Sequence, residues 1–154
     1  MDPIQQLTES IDQAKALYHQ LVLLVGPSGS GKTAILQQVA EIIHSPRINV
    51  NLELSRRLLD VPRAQRPFEV FSKLQTIIRE NSSDVVLLDN LELLFSKELE
   101  QDPLMLLKKL ARNQTIVTAW SGTIERGNLI YAEPSHHEYR RYPIKDFLLV
   151  NLTE

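Results

Sequence analysis

The chain has 154 residues, is 43% hydrophobic, carries a formal net charge of −2 and contains no cysteine. Its length favours one domain with a substantial core. The missing cysteines exclude disulfides, thiolate metal sites and cysteine nucleophiles, and the small net charge gives no overall attraction to nucleic acid. Because no apolar run approaches the ~20 residues that cross a bilayer and the first residues do not resemble a signal peptide, we expect a cytoplasmic protein without a membrane partner.

Residues 1–20 predict an amphipathic helix packed on a core that we expect over residues 21–154. Its apolar residues recur at intervals of three and four: Ile4, Leu7, Ile11, Ala14 and Leu17. Such a stripe usually faces the core of its own domain. Docking onto a partner is the alternative.

The most specific motif joins an apolar strand pattern that begins at Leu21 to a helix pattern that ends near His44. Between them the phosphate-loop pattern G-x-x-x-x-G-K-[ST] is complete, with Gly26, Pro27, Ser28, Gly29, Ser30, Gly31, Lys32 and Thr33. The N–H groups of such a turn and the positive end of its helix attract phosphate. We expect Lys32 to reach the β- and γ-phosphates of ATP and Thr33 to ligate Mg²⁺.

A second strand is predicted over residues 48–52, where apolar and polar residues alternate. A short helix over residues 55–59 and a long amphipathic helix over residues 67–81 follow it. Four arginines crowd this region, either as solvated surface charges or as a patch for DNA or an acidic partner: Arg56, Arg57, Arg63 and Arg66.

A third strand, over residues 85–89, ends in the carboxylate of Asp89. Since it lies one helical crossover after the phosphate loop, we expect Asp89 to hold Mg²⁺ opposite Thr33. Hydrolysis also needs a group that polarises the attacking water. The amide of Asn90 orients water but accepts no proton. Glu92 is the alternative, and it either reaches inward or is exposed on the helix that follows.

A fourth strand is predicted over residues 114–120, a polar loop over residues 122–143 and a last strand over residues 147–150. The adjacent His136 and His137 are expected on the surface of that loop rather than at a metal, because no ordered ligand spacing accompanies them.

The order of these motifs resembles the P-loop NTPases of the additional-strand class, close to the AAA+ and DnaA-like ATPases, over residues 21–152. The resemblance implies a single α/β domain with a five-stranded, mostly parallel sheet in the order 5-1-4-3-2, helices on both faces, and ATP with Mg²⁺ as cofactors. Asn90 departs from the acid that such ATPases usually carry, and we expect no helical lid after the fifth strand.

The same resemblance implies a polar sensor of the γ-phosphate at the end of the fourth strand. Thr118 or Ser121 fits this role, with an ordinary strand-end hydroxyl as the alternative. In a homo-oligomer, Arg140 or Arg141 would reach the γ-phosphate of a neighbouring subunit, and surface charge is the alternative for both.

The segments DNLELLF and YAEPSHHEYRRYP also resemble the BrxF proteins, components of some BREX phage-defence systems in bacteria. This resemblance implies an ATP-binding subunit that acts with the other subunits of a defence complex.

Three functions remain open at this stage. The first is an ATPase switch within such a complex. The second is a small-molecule kinase. Such kinases have an acidic substrate site and an arginine-rich lid, and Glu53 and the arginines from Arg56 to Arg66 are similar to these features. The third is a nucleotide-gated binding module without turnover, favoured by Asn90. GTP is not expected, since the sequence has no Asn-Lys-x-Asp run to read guanine.

Overall fold

The computed structural model describes residues 2–132 and 139–152, so His136 and His137 lie outside the described residues. In chain order the helices and strands are α1 (Pro3–Ala14), β1 (Leu21–Gly26), α2 (Lys32–Ile43), β2 (Arg47–Asn49), α3 (Val50–Leu58), α4 (Arg66–Arg79), β3 (Val85–Asp89), α5 (Pro103–Leu110), β4 (Thr115–Glu125), β5 (Asn128–Tyr131), β6 (Arg140–Pro143) and β7 (Leu148–Asn151). Short 3₁₀ helices cover Arg63–Gln65, Glu92–Phe95 and Lys97–Leu99.

The predicted α/β fold class is confirmed. The parallel strands lie in the order β2-β3-β4-β1-β7, which is the expected 5-1-4-3-2 order read from the other edge. Every residue of β1 and β3 is buried, because parallel strands covered on both faces have no solvent-facing side. The sheet has seven strands rather than five, since β5 and β6 join it through β4.

Helices cover both faces of this sheet. Helices α1 and α2 bury side chains such as Leu7 and Leu36 on one face, whereas α3, α4 and α5 bury Leu54, Leu74 and Leu107 on the other. Helix α1 begins at Pro3, where the side chain of Asp2 accepts the N–H of Gln5 at 2.9 Å. None of the helices in the described part of the chain has the length and apolar character that crossing a membrane requires.

The second strand is shorter than the alternating pattern predicts. Strand β2 ends at Asn49, and Val50 already begins α3. The side chain of Asn49 accepts the N–H of Leu52 at 3.0 Å and so caps the helix. The alternation over residues 48–52 therefore spans a strand end and a first helical turn.

The predicted polar loop over residues 122–143 is wrong over much of its length. Strand β4 continues to Glu125, and β5 and β6 fold back from it as antiparallel strands. Leu129, Ile130 and Tyr131 are buried there. The connection from β4 to the parallel strand β7 thus uses these two strands where a helix is usual.

An aromatic cluster attaches these added strands to the sheet. The ring of Tyr131 stacks on Phe95 with centroids 3.5 Å apart, and Trp120 packs edge-on against both rings. The indole N–H of Trp120 also donates to the carbonyl of Ile130 at 3.2 Å. The cluster therefore links the middle of β4, strand β5 and the 3₁₀ helix that follows β3.

We predict that Gly122→Ala destabilises the protein by about 3 kcal/mol or more, since forced overpacking against rigid backbone is costly. A Cβ at Gly122 would lie 1.8 Å from the carbonyl oxygen of Ile130. Gly127→Ala is the matched control, because its turn has open space and a φ of +79°, where a side chain costs about 1–2 kcal/mol. Urea unfolding measures both variants, and an equal or smaller loss for Gly122→Ala would contradict the packing described.

Candidate functional site

The turn between β1 and α2 lies at the carboxyl edge of the sheet. Gly29 and Gly31 have φ values of +82° and +93°, a left-handed conformation that glycine adopts without steric cost. Gly31 precedes α2 and provides no side-chain cap. The N–H groups of the first turn of α2 are therefore available to an anion, and the helix dipole favours negative charge at this point.

Lys32 is the first residue of α2 and folds back over the turn. Its ammonium donates to the carbonyl oxygens of Gly26 and Pro27, both at 2.8 Å, and the residue is only 7% exposed. Burial lowers the pKa of the Lys32 ammonium below its ordinary value, while the carboxylates of Asp89 and Glu92 oppose that shift. Lys32 thus lies beside the turn and within the electrostatic reach of both carboxylates.

Thr33 and Asp89 meet across the same edge. The Thr33 hydroxyl donates to Asp89 Oδ2 at 2.7 Å, and Asp89 Oδ1 accepts the N–H of Asn90 at 2.9 Å. The guanidinium of Arg47 lies 3.6 Å from Oδ2. A hydroxyl and a carboxylate in hydrogen-bond contact beside an anion-binding turn are the oxygen donors that Mg²⁺ prefers, so these residues fit the metal that the sequence predicts.

The two candidates for water activation differ in their surroundings. Asn90 has a φ of +57°, and its side chain has no hydrogen bond within residues 2–132 and 139–152. Glu92 is held by Asn51, whose side-chain amide donates to Glu92 Oε2 at 2.8 Å. Asn51 also accepts the N–H of Leu93 and donates its own N–H to the carbonyl of Asn90. Asn51 therefore orients the carboxylate of Glu92 next to the phosphate loop.

Of the two candidate sensors, only Ser121 lies at this edge. Its Cα pairs with that of Gly26 at the start of the loop, and it lines a cavity of about 20 Å³ together with Asp89 and Glu92. Thr118 is fully buried and pairs with Leu23 inside the sheet. Thr118 therefore lies away from the edge of the sheet, and Ser121 is the candidate hydroxyl next to the phosphate loop.

Arg140 and Arg141 lie on β6, opposite Tyr131 and Ile130. Arg140 donates to the carbonyl of Tyr139 at 3.2 Å. Within the described ranges, neither arginine has a hydrogen bond or ion pair with the phosphate loop, Asp89 or Glu92. The structure therefore does not bring them to the site of their own chain.

Most of the arginines proposed as a basic patch already have partners. Arg57 pairs with Glu80 and Glu53, and Arg56 pairs with Glu53. Arg66 donates to the carbonyl of Val61 at 2.8 Å. Glu53, the candidate for a kinase substrate site, thus forms ion pairs with two arginines of its own helix.

Sequence reasoning missed Arg47 and Asn51. Arg47 begins β2 and Asn51 lies in the first turn of α3, directly after that strand. Asn51 had one signal in the sequence, its place directly after the carboxyl end of a strand, because residues at such an edge face the ligand of an open α/β sheet. Arg47, the first residue of that strand, had none.

Residues 22–123 match the family described as ATPase family associated with various cellular activities (AAA). No curated protein sequence matches the chain. Among solved structures, the FIGL-1 AAA domain has a TM-score of 0.43 and 17% identity, and covers 77% of this chain and 44% of that one. The C. elegans PCH-2 structure has a TM-score of 0.42 and 17% identity, and covers 80% of this chain and 36% of that one.

The chain thus spans less than half the length of either solved relative. The family match, in contrast, covers more than half of this chain and contains the phosphate loop, Asp89, Glu92 and Ser121. The chain belongs to the AAA family of ATPases.

Proposed function

We propose that this protein binds ATP with Mg²⁺ and hydrolyses it slowly, as a nucleotide switch within a larger complex. The observation that carries the proposal is the 2.7 Å hydrogen bond between Thr33 and Asp89 at the mouth of the phosphate loop. It brings the two oxygens that would hold Mg²⁺ to the end of α2 where the N–H groups converge.

On ATP binding, hydrogen bonds within the phosphate loop would be exchanged for hydrogen bonds to phosphate. The ammonium of Lys32 would leave the carbonyl oxygens of Gly26 and Pro27 for phosphate oxygens. Thr33 and Asp89 would hold Mg²⁺, which when bound neutralises charge on the phosphates. Ser121, opposite Gly26, would contact the γ-phosphate.

For hydrolysis we favour Glu92 over Asn90 as the group that activates water. A carboxylate accepts a proton and an amide does not. The hydrogen bond from Asn51 occupies one oxygen of Glu92, so the other oxygen is available to a water molecule.

Lys32→Ala is predicted to weaken ATP binding by about 100-fold or more, because it removes a charge-assisted contact to phosphate. Titration with a fluorescent ATP analogue measures the affinity, and circular dichroism reports whether the fold is kept. The control is Lys109→Ala, an exposed lysine near the end of α5. Unchanged affinity in Lys32→Ala would contradict the phosphate-loop assignment.

Glu92→Gln is predicted to lower steady-state phosphate release by about 100-fold, the usual size of a lost general base, while ATP affinity changes little. Asn90→Ala is the matched variant and is expected to keep most of the activity. A steep loss in Asn90→Ala with normal turnover in Glu92→Gln would assign water activation to Asn90. Tight ATP binding without turnover in the wild-type protein would favour the binding module.

We further propose that Arg140 or Arg141 acts on a neighbouring copy, since neither reaches the site of its own chain. Turnover per chain is then expected to rise with protein concentration. The double variant Arg140→Ala, Arg141→Ala should be inactive, yet mixing it with Lys32→Ala should partly restore phosphate release, because each variant supplies what the other lacks. Absence of rescue in mixtures would contradict a site shared between copies.

For the wider role we propose membership of a phage-defence complex, supported by the resemblance of two segments to the BrxF proteins. The test compares wild-type protein with Lys32→Ala in bacteria that carry the complete defence system. In the variant we expect the efficiency of phage plating to rise. We also expect fewer of the other subunits to co-purify with the variant in the presence of ATP.

DNA binding through the arginine patch would have to use mainly Arg63, the member without a partner in the described part of the chain.

A further inference from the structure

A cation of the protein itself already contacts the carboxylate predicted to hold Mg²⁺. Arg47 Nη1 lies 3.6 Å from Asp89 Oδ2, the oxygen that also accepts the Thr33 hydroxyl. The other oxygen of Asp89 accepts the N–H of Asn90. Each of these contacts directs a positive charge or a hydrogen-bond donor at Asp89.

The sheet explains why Arg47 reaches this position. Strands β2 and β3 are parallel, with Arg47 opposite Leu87 and Asn49 opposite Asp89. Because successive side chains alternate between the faces of a strand, Arg47 and Asp89 lie on the face that α2 covers, together with Leu87. The long arginine side chain then spans the two-residue offset along the neighbouring strand.

Burial explains what Arg47 does there. Asp89 is 4% exposed, and a carboxylate buried without a countercharge destabilises the folded state. The side chain of Arg47 is about one-third exposed and adds to the positive charge that Lys32 also directs at Asp89. A divalent cation at the same carboxylate would lie close to this guanidinium, and the two positive charges would repel each other.

We propose that Arg47 competes with Mg²⁺ for Asp89 and thereby sets the metal affinity of the site. The metal-free site is stabilised by an internal cation, so free Mg²⁺ binds weakly. Mg²⁺ that arrives with a nucleotide binds better, because the phosphates add negative charge that offsets the guanidinium. This inference rests on the proposed function, since it takes Thr33 and Asp89 to be the residues that hold Mg²⁺.

The first test measures metal binding directly. Arg47→Gln and Arg47→Met remove the charge while keeping a side chain of similar length, and Arg47→Lys keeps the charge. Electron paramagnetic resonance follows Mn²⁺ binding to the nucleotide-free protein. Removing one positive charge beside Asp89 is expected to tighten binding by about tenfold, and Arg47→Lys should stay near wild type. Arg57→Gln, which breaks an ion pair with Glu80 elsewhere, is the matched control.

The second test uses thermal unfolding, which does not depend on turnover. In a chelator, Arg47→Gln and Arg47→Met should unfold at lower temperature than wild type, because Asp89 loses its countercharge. Added Mg²⁺ should raise their unfolding temperature more than it raises that of wild type. Arg57→Gln should respond to Mg²⁺ as wild type does.

The outcomes separate this inference from the proposed function. Unchanged or weaker Mn²⁺ binding in both neutral variants, with ATP binding intact, would overturn the competition and leave Arg47 as a residue that positions Asp89. If wild-type protein binds no ATP with Mg²⁺, the proposed function itself fails. Should one neutral variant not fold, the other variant and Arg47→Lys still decide the result.

Discussion

The register between strands β1, β4 and β3 is the constraint on which the site depends. Gly26 pairs with Ser121, and Leu88 pairs with Thr118, so β1 and β3 end near one edge of the sheet, beyond which β4 continues to Glu125. Helix α2 begins at that edge and carries Thr33 to within 2.7 Å of Asp89. A slip of one residue between strands would turn every side chain to the opposite face, and this hydrogen bond would be lost. The burial of β1 and β3 on both faces therefore maintains the site as well as the core.

The charged side chains around the phosphate loop nearly balance one another. Two cations, Lys32 and Arg47, lie beside two carboxylates, Asp89 and Glu92. These four charges nearly cancel, which limits the free-energy cost of burying them. A nucleotide and a divalent cation bring opposite charges, and as a pair they disturb that balance less than either does alone. This balance gives a physical reason for the two ligands to bind together.

The strands β5 and β6 replace the helix that usually connects parallel strands, and they alter what surrounds the site. Tyr131 of β5 stacks on Phe95, which ends the 3₁₀ helix that begins at Glu92. Trp120, the residue before Ser121, packs against both rings. The added strands thus support the segment that carries Glu92, and β6 carries Arg140 and Arg141.

The sequence by itself determined the phosphate loop and the buried strands around it. These features depend on local chemistry: glycine where φ must be positive, and continuous apolar runs where both faces of a strand are covered. The parallel strand order, in contrast, was expected from the family resemblance. Only the tertiary structure decided that Ser121 rather than Thr118 lies at the edge, that Asn51 holds Glu92 and that Arg47 contacts Asp89. Each of these depends on register between strands distant in sequence, which no local pattern encodes. Sequence reasoning missed strands β5 and β6 because their apolar run is short. That run is buried only through tertiary contact with the aromatic cluster, which a local pattern does not reveal.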